Sequence, residues 1–213
     1  MFNSDEYEPK TVDDLVFADE DTRERIFDYA AGRRGRHVVL HGPRGTGKSS
    51  AARVISETRC GPEVGIFNAP YEGSIFKDSD FDKILNDWNW QRLQSVKKPV
   101  TVINEIDLLS PAMLEKLKSF MDQFGKHGQI IGTTNSEHKL SGALQDRFDI
   151  IEMPALPAEA FAPRVREIVQ AKGYAVSEDA VLDVLSSATG SWRDALSAAE
   201  DIIVASNKRL PKP

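Results

Sequence analysis

Val38-Val39-Leu40, then Gly42-Pro43-Arg44-Gly45-Thr46-Gly47-Lys48-Ser49, then Ser50-Ala51-Ala52-Arg53-Val54-Ile55 is the stretch on which the fold turns. An apolar strand, a glycine-rich turn and a helix in that order read as a phosphate-binding loop. The glycines allow a sharp turn, so that successive backbone N–H groups and a helix N-terminus converge on an anion. Lys48 adds a point charge, and the Ser49 hydroxyl stands where a Mg²⁺ ligand belongs. A cation in the first turn opposes the helix dipole by about 0.3–1 kcal/mol unless an anion sits there, so Lys48 suits a phosphate site better than an ordinary helix start. Gly42, Pro43, Gly45, Thr46, Gly47, Lys48, Ser49 and Ser50 are therefore the expected cradle of a nucleoside triphosphate.

Outward from that loop, apolar runs recur at Val38–Leu40, Val64–Phe67, Val100–Ile103, Gln129–Gly132 and Ile150–Met153. Separated by polar or amphipathic segments, they predict a mainly parallel five-stranded sheet in an α/β domain. Ser110 and Pro111 sit where a cap and first helical residue belong, ahead of Leu114, Leu117, Phe120, Met121 and Phe124 at helical spacing. After Pro157 the strands stop. Three helical patterns follow: Phe161, Val165, Ile168 and Val169; Val181, Leu182 and Leu185 after Ser177; and Trp192, Leu196, Ala199 and Ile203. The expected division is 1–155 for the α/β domain and 156–213 for a small helical domain.

Composition sets limits on function. With 213 residues, 40% hydrophobic and 28% charged, the chain can bury a full core. No apolar stretch approaches membrane-spanning length, and the start Met1-Phe2-Asn3-Ser4-Asp5-Glu6 lacks the basic and apolar parts of a signal peptide, so a cytoplasmic protein is expected. One cysteine, Cys60, excludes an intrachain disulfide and a cysteine-rich zinc module. A net charge of −6 means that any DNA contact must come from a local basic surface. Arg33-Arg34-Gly35-Arg36 and the lysines Lys116, Lys118 and Lys126 are the places to look, although solvated faces explain them nearly as well. Of Trp88 and Trp90, two residues apart and unable to share a helical face, one is expected in the core and the other is open to a partner.

A second chemical element is Val100-Thr101-Val102-Ile103-Asn104-Glu105-Ile106-Asp107, a buried strand ending in polar residues. Ligands of open α/β sheets bind beyond the carboxyl ends of the strands, where this end and the phosphate loop both lie. Glu105 is the expected general base, polarising a water for attack on the γ-phosphate.

Seven motifs in order then carry a resemblance. They are Tyr7 to Val16, the phosphate loop, Ile66-Phe67-Asn68-Ala69, Asn104-Glu105-Ile106-Asp107, Gly132-Thr133-Thr134-Asn135, Leu144-Gln145-Asp146-Arg147-Phe148 and Gly190-Ser191-Trp192-Arg193-Asp194-Ala195-Leu196. Together they resemble the AAA+ ATPases of the clamp-loader type, which include the replication factor C small subunits and the bacterial and phage clamp-loader subunits. The resemblance implies a P-loop NTPase with a helical lid, acting as an oligomer on ATP and Mg²⁺ in DNA replication or DNA-associated remodelling. Tyr7, Pro9 and Val16 would border the adenine, Lys48 and Ser49 would hold phosphates and Mg²⁺, Asn135 would position the attacking water, and Arg193 would reach the γ-phosphate from the lid. Arg147 would act on a neighbouring subunit's nucleotide, and Asn68 would restrain Glu105. Expected partners are other AAA+ subunits, DNA and a sliding clamp, with no membrane.

Each role has an ordinary alternative: Asn135 can satisfy a turn, and Arg147 can be a surface cation. The chain also departs from the family pattern. Asn104 stands where an Asp usually supports the Mg²⁺ shell; its amide can accept a hydrogen bond from a metal-bound water but brings no charge. Glu8 replaces a basic residue at the presumed base edge. The sequence stops after the lid, where clamp loaders carry a helical collar, so assembly is expected to use another surface or protein. A nucleotide-binding switch or scaffold subunit with little turnover is the alternative that Asn104 favours, and a small-molecule P-loop kinase is a third class.

Overall fold

The computed structural model describes residues 7–61, 69–186 and 191–209. The expected strand at 64–67, Asn68 and Gly190 lie outside the described residues.

Five strands form one all-parallel sheet: β1 (His37–His41), β2 (Tyr71–Glu72), β3 (Val100–Asn104), β4 (Gln129–Thr134) and β5 (Phe148–Glu152). Their spatial order is β2-β3-β4-β1-β5. Five helices are interleaved: α1 (Glu20–Ala30), α2 (Lys48–Cys60), α3 (Asp78–Leu93), α4 (Pro111–Phe124) and α5 (Gly142–Gln145). Three more close the chain: α6 (Ala162–Ala171), α7 (Glu178–Leu185) and α8 (Trp192–Arg209).

Both faces of the sheet are covered, which is why its strands read as apolar runs rather than alternating ones. Val38, Leu40, Val102, Ile131 and Ile151 pack with α1 and α2 on one side. Val39, Ile103, Ile130 and Phe148 pack with α3 and α4 on the other. The fully buried Trp88 of α3 anchors that second layer, its indole N–H donating to Thr101 Oγ1 at 2.9 Å. Trp90 is exposed, so the two tryptophans divide as their spacing requires.

The helix starts follow from local chemistry. Asp19 accepts from Thr22 N at 2.7 Å to cap α1, Ser110 accepts from Met113 N at 3.3 Å ahead of Pro111, and Ser177 accepts from Ala180 N at 3.3 Å. On α4, Leu117, Phe120 and Met121 are buried, with Leu114 and Phe124 at the margin. Helices α6, α7 and α8 build their own core from Phe161, Val165, Ile168, Val181, Leu185, Ala199 and Ile203, and Tyr7, Val16 and Leu156 pack against it. Among the described residues, no helix is long and apolar enough to cross a membrane.

Candidate nucleotide site

Because β3, β4 and β1 are neighbours, their carboxyl ends come together, and the loop after β1 faces the ends of the other two. A cavity of about 770 Å³ lies there, a size usual for small-molecule sites. Its walls are Gly45, Lys48 and Ser49 from the phosphate loop, Glu105 from the end of β3, Asn135 after β4, and Arg193 from α8.

The phosphate loop depends on two glycines. Gly42 has φ 147°, and a Cβ there would sit 2.0 Å from the Met153 carbonyl oxygen. Gly45 has φ 83°, and a Cβ there would sit 2.4 Å from Ser191 Cβ. The second contact continues into a hydrogen bond, in which Trp192 N donates to the Gly45 carbonyl at 2.8 Å. The loop is thereby joined directly to the first residue of α8.

Lys48 is buried, and its Nζ donates to the carbonyls of Gly42 at 2.8 Å and Pro43 at 2.5 Å. Burial, and then the charge of Arg44, hold its ammonium below the usual lysine range. Arg193 lies exposed in the first turn of α8 and makes no ion pair among the described residues. Two cations at two helix N-termini thus line one cavity, an arrangement that favours an anion there.

Glu105 has φ 50° and ψ 49°, a left-handed conformation costing about 1–2 kcal/mol in a non-glycine residue. Its backbone N–H donates to Thr133 Oγ1 at 3.2 Å, and that hydroxyl donates to Asn104 Oδ1 at 3.2 Å. Asn104 Nδ2 donates in turn to Glu72 Oε1 at 3.0 Å. Asn104 thus stands behind the cavity wall, with both ends of its amide engaged. Asp107 is also occupied: Thr134 Oγ1 donates to it at 2.6 Å, and Lys139 pairs with it at 3.3 Å.

A second crevice, of about 10 Å³, adjoins the cavity and is lined by Pro9, Val16, Thr46, Gly47, Ser50 and Trp192 among others. Pro9 and Val16 therefore line one crevice. Tyr7 is not in that lining; it packs on the helical core with Lys172 Nζ 5.3 Å from its ring centre. Glu8 lines the larger cavity and pairs with Arg53.

Arg147 is away from this cavity, beside α4. The other basic groups are largely matched: Arg33 and Arg34 with Asp28, Arg36 with Asp149, Lys116 with Asp78 and Lys118 with Glu115. The site also contains residues to which sequence reasoning gave no role, namely Arg44, Thr133, Thr134, Leu196, Ser197 and Glu200. The last three continue the Arg193 face of α8 at helical spacing, a signal present in the sequence.

A phosphate loop on a parallel sheet, a strand-end carboxylate and an arginine-bearing helical lid define a P-loop nucleotide-binding protein of the α/β class. The chain belongs to the ATPase family associated with various cellular activities (AAA), whose pattern matches residues 38–155. It is similar to replication factor C subunit 4 of Caenorhabditis elegans, 24% identical over 93% of this chain and 62% of that protein. It is likewise 24% identical to the replication factor C small subunit of Archaeoglobus fulgidus, over 92% of this chain and 62% of that protein. In solved structures it resembles the RuvB Holliday junction branch migration motor of Thermotoga maritima, with a TM-score of 0.73 at 23% identity, over 94% of this chain and 67% of that one. The chain spans about three-fifths of the length of the replication factor C relatives it matches.

Proposed function

We propose that this chain is an ATP-binding and ATP-hydrolysing AAA+ module of the clamp-loader type. It works inside the cell, in the cytoplasm, as part of an oligomer acting in DNA replication or DNA-associated remodelling. The convergence of Lys48, Glu105, Asn135 and Arg193 on one cavity carries this reading. Residues 1–155 bind the nucleotide and 156–213 form the lid. Other AAA+ subunits are the first partners, and DNA and a sliding clamp are the others.

The loop amides and Lys48 bind the β- and γ-phosphates, and Arg193 reaches the γ-phosphate from α8. Glu105 takes the proton of the attacking water, which Asn135 helps to orient. Pro9 and Val16 border the base, and Tyr7 packs on the helical core that Val16 also touches. When bound, Mg²⁺ would neutralise phosphate charge; Ser49 would hold it, and Asn104, hydrogen-bonded to Thr133, would support it indirectly. Arg147 completes the site of the adjacent subunit. Nucleotide binding orders the lid against the phosphate loop, so the nucleotide state alters what the subunit grips.

Calorimetric titration with Mg²⁺·ATP, run beside a phosphate-release assay, tests the roles. Lys48→Ala should weaken binding by roughly 10- to 100-fold, the loss of charge-assisted hydrogen bonds to phosphate. Glu105→Gln should bind normally and turn over about 100-fold more slowly or worse. Negligible turnover by the wild type, with Mg²⁺·ATP still bound, would support the switch or scaffold reading instead.

A further inference from the structure

Arg147 lies just before β5, outside its own cavity, and the chain itself sets the orientation of its guanidinium. Nε donates to Asp122 Oδ1 at 2.7 Å and Nη2 donates to Asp122 Oδ2 at 2.7 Å. Nη1 donates to the carbonyl of Ala143 on α5. The two contacts come from α4 and α5, so the guanidinium is held between separate elements. A two-point carboxylate pair fixes the plane of the group as well as its distance.

Three of the five N–H donors are used, leaving one on Nη1 and one on Nη2. The Arg147 side chain is 29% exposed, so the group is open to an approaching ligand. Exposed ion pairs add little to stability, and Asp122 is 56% exposed, which leaves orientation as the main effect of this pair.

Resting on the reading that Arg147 acts on an adjacent subunit's nucleotide, we propose that Asp122 is the positioning residue for that arginine. It holds the guanidinium plane before assembly, so the two remaining donors meet the neighbour's phosphate already aligned. The ordering entropy is then lost on folding rather than at the moment of catalysis.

The test is steady-state ATP hydrolysis at a protein concentration high enough for full assembly, on wild type, Arg147→Ala, Asp122→Asn, Asp122→Glu and the Asp122→Asn/Arg147→Ala double variant. Asp122→Asn should lower kcat roughly 10-fold with KM unchanged, since small misplacements of a reacting group cost one to two orders of magnitude. Asp122→Glu should recover part of the loss, and the double variant should be no worse than Arg147→Ala. Mixing Asp122→Asn subunits with Glu105→Gln subunits, whose Arg147 is intact, should restore turnover at the Asp122→Asn sites; a folding defect would not be rescued in this way. Wild-type kcat in Asp122→Asn with an impaired Arg147→Ala overturns the positioning role alone. Wild-type activity in Arg147→Ala overturns the reading beneath it.

Discussion

His37 opens β1, with its Nδ1 accepting from Ile130 N at 2.9 Å and its ring edge-on to Phe148. Burial, then the charges of Lys98 and Arg36, push its pKa from 6.5 down to about 4. The folded state therefore prefers the neutral ring. Its stability is complete above the unfolded value of 6.5 and is lost as pH falls toward 4, by up to roughly 3 kcal/mol. Urea unfolding at pH 7.5 and at pH 4.5 should expose this slope, and His37→Gln should flatten it, because glutamine can still accept from Ile130 without titrating. A second prediction concerns Asn104, whose Nδ2 is 3.0 Å from Glu72 Oε1. Asn104→Asp would set two carboxylates against each other. Without metal, the variant should melt about 2–4 °C lower, the size of a repulsion near 1 kcal/mol in a chain of this length. Added Mg²⁺·ATP should recover more than that loss, and an unchanged Mg²⁺ titration would count against any support of the metal by this position.

At the scale of elements, the joint between the phosphate loop and α8 is the feature that a motif search cannot reveal. Gly45 is required by the motif, yet the structure gives it a second reason, the 2.4 Å approach of Ser191 to any Cβ placed there. Gly45→Ala should therefore displace the start of α8 as well as strain the loop. ATP affinity should fall at least 10-fold, with Trp192 fluorescence in the apo protein already altered; a change in affinity alone would separate the loop from the lid. The order of elements was legible because each carries a strong local signal: the Ser110-Pro111 cap, the apolar runs at β1, β3 and β4, and the Ser177 cap. β2 was not legible, because Tyr71 and Glu72 make only a two-residue edge strand without an apolar run. The same limit applies to the site. That Lys48, Glu105 and Arg193 line one cavity could be expected from motif and register, because the loop, the strand end and the start of α8 each carry a local signal. The Glu72–Asn104–Thr133 chain could not, because it joins three strand ends brought together only by the sheet order.

At the scale of the molecule, the chain divides the residues to which the proposed function gives catalytic roles between two surfaces. The cavity holds Lys48, Glu105, Asn135 and Arg193, while Arg147 is held by Asp122 away from that cavity. On the proposed reading, one subunit carries an incomplete site and a spare arginine, and adjacent copies or related subunits supply what each lacks. Specific ATPase activity measured as protein concentration rises, with nucleotide binding followed in the same samples, tests this division most directly. Nucleotide binding is expected at every concentration, with turnover per subunit that climbs to a plateau and no climb for Arg147→Ala. Turnover that is independent of concentration and indifferent to Arg147 would contradict it.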